Sequence, residues 1–402
     1  MYNFNENINR LNTNAVQTEL IPLIYGRKDL MPFWIADMDI KTPDKITDAI
    51  ALRLKHGIFG YTNWKNDNFY TPVKHWFSTR FNTNILKQDL SYAPSVLFTV
   101  TEAIRLLTNE GDGVILNTPA YNNFINLIQG NKRMIVESEL FFDGYEYTVD
   151  FVQFEYLCQM PQNKLFLLCN PHNPTGKVYS EQEIEKIIEI CKKYDVYIVA
   201  DEIHMDFVRR GKHITLARYM HEYDQMIVTT CLGKTFNVSG IPHAYFITKD
   251  KFMMDAINTK ILSVYGLGAV NLVALTVMKC AYMECADWVD AINEHIEHNM
   301  TLVEDYIADH LSDCLFFQKP DATFLAWIDF AKSGFSEIDV QDALQNVGKI
   351  ATGIGNTYEL SASTHFRFNV GCSEEKLLEG LERIKRSFDY LKAERLKEET
   401  EA

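Results

Sequence analysis

Lys234, Asp201 and Asn173 are the residues of this chain whose types and positions could do chemistry together. Each stands at or just past an apolar, strand-like run. Leu165–Cys169 opens into Asn170-Pro-His-Asn173-Pro-Thr-Gly176, Tyr197–Ala200 ends on Asp201, and Met226–Thr230 leads to Lys234. A lysine just past a buried strand is desolvated, and its neutral amine can condense with an aldehyde. A carboxylate at the same edge can keep a pyridine-type nitrogen protonated, and a carboxamide can donate to a phenolate oxygen. Singly, each residue has a plainer reading: Asp201 as a helix cap, Asn173 as part of an Asn-Pro turn. In order along three strand ends, they point to a carbonyl-bearing cofactor.

The elements that must position them alternate. Ser180-Glu-Gln-Glu183 is a capping box, and Ile184, Ile187, Ile188 and Cys191 follow at helical spacing. Upstream, Val100, Ala103, Ile104 and Leu107 mark one face of a helix that stops at Gly111-Asp-Gly113, before a strand at Val114–Asn117. Continuously apolar strands separated by helices imply a parallel sheet covered on both faces. Ser95, Val96 and Leu97 open the first of these helices. Free N–H groups and the positive dipole end make them a candidate phosphate cradle, compatible with Ser95 as an ordinary N-cap. From about residue 285 the pattern changes to a long helix (about 288–311), short strands at 324–328 and 365–370, and a closing helix through Leu377, Leu381, Ile384, Phe388 and Leu391. The charged tail from about Lys392 is expected to fray.

Composition bounds the rest. At 402 residues, with 47% hydrophobic content, two domains with sizeable cores are expected. A net charge of −15 and dispersed Lys and Arg argue against a nucleic-acid or anionic-membrane surface. Eight cysteines show no CxxC spacing and no Cys/His cluster, so reduced core thiols are expected and no metal site. The polar N-terminus carries no signal-like apolar segment and no stretch could span a bilayer, which reads as a cytoplasmic chain.

The set Asn173, Asp201 and Lys234 resembles the core of the fold-type I pyridoxal 5'-phosphate (PLP) enzymes, the aspartate aminotransferase superfamily. Pro32-Phe-Trp34-Ile-Ala-Asp37-Met-Asp39, Gly60-Tyr61 and Asp201-Glu-Ile-His204 resemble its cystathionine β-lyase/cystalysin-like branch, over roughly residues 30 to 390. The resemblance implies an α/β PLP-transferase fold. A large domain (46–285) would hold a mostly parallel, seven-stranded sheet beside a smaller α+β domain (286–402), which residues 1–45 join as an N-terminal arm. It implies that Lys234 is the catalytic lysine and that Ser95, Val96, Leu97, Tyr121, Asn173, Asp201, His204 and Cys231 bind the cofactor. Tyr121, otherwise a packing residue, would stack on its ring, and His204 would lie near its phenolic oxygen. Arg367, otherwise a strand residue facing solvent, would grip a substrate α-carboxylate near the Ile35-Ala36 backbone. Tyr61 would reach the phosphate of a neighbouring subunit in a homodimer.

This sequence departs from the branch where a hydroxyl residue usually stands three before the lysine (Cys231), where Ser or Thr usually precedes it (Gly233), and where a glycine usually follows Tyr358 (Glu359). An early Thr-Asn-Ser motif is only partly matched at Thr13-Asn-Ala15. The expected activity is a carbon–sulfur β-lyase on a small amino-acid substrate such as L-cystathionine. An aminotransferase using the same lysine is the nearest alternative, and a regulatory protein on this fold is a second.

Overall fold

The computed structural model describes residues 2–358 and 363–401, and Glu359 lies outside them. The chain divides into two compact units: residues 42–173 with 177–291, and residues 1–41 with 174–176 and 292–402.

The first unit is built on an eight-stranded sheet. Its order is Leu90–Ala93, Ala244–Ile247, Met226–Thr230, Tyr197–Asp201, Asn163–Cys169, Gly113–Thr118, Met134–Phe142, Tyr147–Val149. The five strands from Met226–Thr230 to Met134–Phe142 run parallel, and Ala244–Ile247 is antiparallel to both neighbours. Every residue of Gly113–Thr118, Tyr197–Asp201 and Met226–Thr230 is buried, as expected of strands covered on both faces. The Glu181–Tyr194 crossover helix begins at the capping box. Ser180 Oγ accepts the Glu183 N–H at 3.2 Å, and the Glu183 carboxylate accepts the Ser180 N–H at 2.8 Å.

Eight strands rather than seven is a correction. Leu140–Phe142 pairs back on Tyr147–Val149 through a turn at Asp143-Gly144, where Gly144 takes a φ of 101°. Asp-Gly between two aromatic, β-prone stretches is a hairpin signal that the sequence carries.

In the second unit, Leu325–Asp329, His365–Asn369 and Gly353–Ile354 form an antiparallel sheet with His365–Asn369 in the middle. Met31–Pro32 pairs in parallel with Ile350–Ala351, and Phe33 stacks on Phe368 at 4.3 Å. The expected frayed tail is also corrected, because the last helix runs unbroken over Glu374–Glu401. Its Glu, Lys and Arg residues are strong helix formers, and Lys385–Asp389 and Lys397–Glu394 add pairs at helical spacing.

Candidate active site

Parallel register aligns the strand ends. Cys169 pairs with Asp201 and Asp201 with Thr229, so the segments that follow leave the sheet at one level. In open α/β sheets that edge is where ligands bind. The Asn170 N–H donates to the Asp201 carbonyl at 3.0 Å and its carboxamide to the Ile214 carbonyl at 3.1 Å. This anchors the loop on which Asn173 is buried.

Asp201 is 3% exposed, and its Oδ1 accepts the Ile203 N–H at 2.9 Å. No helix begins there: Glu202–Phe207 continues in turns, so the helix-cap reading of Asp201 fails. Burial pushes the carboxyl pKa up to about 7. The Ile203 N–H opposes the rise, neighbouring Glu202 adds to it, and Lys234 pulls it back. Lys234 is half-buried in the turn after Thr230. Cys231, three residues before it, feels both Lys234 and Asp201, and burial raises its thiol to about 11. Its sulfur accepts the Gly233 N–H at 3.4 Å. Cys169 completes this group, with Asp201 and the Asn173 N–H both acting on its sulfur. His204 is buried three residues past Asp201.

Ser95 is the N-cap of the Val96–Leu107 helix, its hydroxyl accepting the Phe98 N–H at 3.0 Å. The Val96 and Leu97 N–H groups, in the first turn, have no acceptor within the helix. Tyr121 is part-buried ahead of the Asn122–Gly130 helix. Its ring is edge-on to Phe124 at 5.3 Å, and its hydroxyl accepts from Asn123 at 2.6 Å. Tyr61 stands apart. It is fully exposed, and Ile58 and Phe59 near it are 65% and 62% exposed.

In the other unit Arg367 is 4% exposed. Its Nη2 donates to the Trp34 carbonyl at 2.9 Å, and its guanidinium lies 4.8 Å from the centre of the Tyr358 ring. Asn369 donates to the carbonyls of Ile35 (2.7 Å) and Asp37 (2.9 Å) and accepts the Gly371 N–H at 2.8 Å. Arg367 and Asn369 therefore hold the Trp34–Asp37 backbone between them. Sequence reasoning passed over Asn369 and Tyr358. The first was within reach, since residues two apart on a strand share a face. Tyr358 comes under the guanidinium only through tertiary folding.

A mostly parallel sheet whose strand ends bring a buried aspartate beside a lysine defines the class of fold-type I PLP enzymes. The aminotransferase class I and II family matches residues 28–384, and the chain belongs to that family. It is 35% identical to protein MalY of Escherichia coli (strain K12), over 95% of this chain and 97% of that protein. It is 33% identical to cystathionine beta-lyase PatB of Bacillus subtilis (strain 168), over 95% and 99%. The fold is similar to that of cystalysin from Treponema denticola, a structure containing a pyridoxal 5'-phosphate cofactor. The TM-score is 0.92 at 27% identity, over 97% of this chain and all of that one. No described helix is long and apolar enough to cross a membrane.

Proposed function

We propose that this chain is a PLP-dependent carbon–sulfur β-lyase that converts L-cystathionine or a related cysteine S-conjugate, with water, to a thiol, pyruvate and ammonia. The observation that carries the reading is Asp201, a carboxylate at a strand end with its pKa raised to about 7 and Lys234 within electrostatic reach. A buried anion in this condition fits a cationic ring nitrogen. The first-turn N–H groups of Val96 and Leu97 beside Ser95 fit a phosphate. Names such as PatB among the relatives support the lyase reading over transamination.

Asp201 would hold the ring nitrogen, Asn173 and His204 the side of the phenolic oxygen, and Tyr121 a ring face. Ser95, Val96, Leu97 and Cys231 would hold the phosphate. When bound, the cofactor supplies an electron sink for the pair left on the substrate α-carbon. Arg367 binds the α-carboxylate with two parallel donors, close to the Ile35 and Ala36 backbone. The Lys234 amine takes the α-proton, and the β-carbon–sulfur bond then breaks as the thiolate leaves.

The working unit in this reading is a cytoplasmic homodimer, with Tyr61 donated to the phosphate of the second copy. The exposure of Tyr61, Phe59 and Ile58 supports that assembly, and eight free cysteines support a reducing compartment. The test is pyruvate release from cystathionine without an added keto acid. Lys234→Ala should lose nearly all turnover, whereas dependence on a keto-acid acceptor would make the protein an aminotransferase. Tyr61→Phe should weaken PLP binding roughly tenfold, for one charge-assisted hydrogen bond lost. A monomer that binds PLP normally would refute the shared site.

A further inference from the structure

The turn that carries Lys234 belongs to neither helix nor strand, yet it is pinned on its far side. Thr235, the next residue, donates its hydroxyl to Asp206 Oδ2 at 2.8 Å, and Trp76 Nε1 donates to Asp206 Oδ1 at 3.1 Å. All three residues are buried, Asp206 to 4% exposure and the others to 1%. Both carboxylate oxygens act as acceptors, and these donors come from separate parts of the sequence. Trp76 is held in turn. It stacks on Tyr282 at 4.8 Å with 17° between the planes, and it meets Phe236 at 5.8 Å. Phe236 also packs on Tyr282 and Trp288, and the Thr42 hydroxyl lies 3.2 Å and 3.1 Å from the Phe236 and Asn237 carbonyls. The two residues after Lys234 are thus fixed by one polar pin and one aromatic pin, and Trp76 serves both.

We propose that Asp206 is a positioning residue, which through the Thr235 hydroxyl fixes the main chain from which the Lys234 amine reaches its targets. The proposal rests on the reading of Lys234 given above. A lysine has four rotatable side-chain bonds, so its aim depends on where its Cα is held. A displacement of about 1 Å at a reacting group can cost on the order of 100-fold.

Thr235→Val keeps the shape and removes the hydroxyl, and Thr235→Ser restores it. In the PLP-loaded protein, Thr235→Val should lower kcat by about 10- to 100-fold with KM for cystathionine little changed, and Thr235→Ser should stay within about threefold of wild type. A second readout needs no turnover: the rate at which cofactor-free protein mixed with PLP develops the absorbance band of the lysine-linked cofactor. That rate should fall in Thr235→Val and recover in Thr235→Ser. Should Thr235→Val fail to fold, Thr235→Ala takes its place, since it also removes the hydroxyl that meets Asp206. It should slow band formation. Wild-type values for kcat and band formation in the folded variant, or equal losses in the Val and Ser variants, overturn the proposal. A wild-type protein that forms the band but releases no pyruvate overturns the lyase reading alone, and the band rates still test the pin.

Discussion

Asp201 and Arg367 are buried almost equally, at 3% and 4% exposure, and the protein treats their charges in opposite ways. Arg367 is met where it lies: a backbone carbonyl takes one of its N–H groups, and the face of Tyr358 sits under the guanidinium. Asp201 receives one N–H and the pull of Lys234, but burial outweighs both and lifts its pKa to about 7. In the proposed function the Arg367 region is a receptor held ready for an anion, and the Asp201 region is unfinished until a cation arrives. A buried carboxyl whose partners do not offset its desolvation is a candidate site for a ligand's charge.

The largest expected effect comes from removing the unfinished charge. Asp201→Asn should lower kcat by on the order of 1,000-fold or more, since a ring nitrogen without its anion is a poor electron sink. The same change should stabilise the cofactor-free protein at high pH. A carboxyl whose folded pKa is raised to about 7 binds protons that the unfolded chain has already released. The contribution of Asp201 to the stability of the cofactor-free wild type is therefore lost as pH rises from about 4 through 7. Melting temperatures of the two cofactor-free proteins should coincide near pH 4, and the Asn variant should melt higher at pH 8. A variant no more stable than wild type at pH 8 would mean that Asp201 is already compensated.

Altering the Arg367 receptor should cost less. Arg367→Lys keeps the cation but loses the planar fork. KM for cystathionine should rise by roughly 10- to 100-fold, about 1.5–3 kcal/mol, with a smaller change in kcat. Unchanged KM would take the substrate carboxylate away from Arg367.

The contrast between the two regions was only half visible in the sequence. Asn173, Asp201 and Lys234 were legible because each follows a continuous apolar run, and a strand end is a place that such a run dictates. The burial of Asp201 followed from the same runs. The partners of Arg367 did not, because Trp34 lies 333 residues away along the chain. Nor did the pin at Thr235, which joins Trp76 to Asp206 across 130 residues. The charged tail misled because its composition was read as solvation, whereas its spacing of Glu and Lys supports a helix to Glu401. The hairpin at Asp143-Gly144 was written in local turn chemistry and passed over. Tyr61 is a different case, since its proposed partner lies on a second chain.

The smallest expected effect sharpens the comparison most, because it asks whether the Arg367 site is finished by its aromatic floor. Tyr358 is 3% exposed, held edge-on against Trp327 at 5.4 Å, and only its ring face meets the guanidinium. Tyr358→Phe keeps that face and should leave KM within about twofold of wild type. Tyr358→Leu fills part of the volume but has no quadrupole. Arg367 then keeps the Trp34 carbonyl and loses an attraction worth about 0.5–1 kcal/mol, so KM should rise roughly 2- to 5-fold. The kcat of Tyr358→Leu should stay near wild type, because the ring orients the carboxylate receptor and touches no reacting atom. If Phe and Leu behave alike, the floor is only packing, and the Trp34 carbonyl with the rigid 33–37 backbone is enough to prepare Arg367 for its anion.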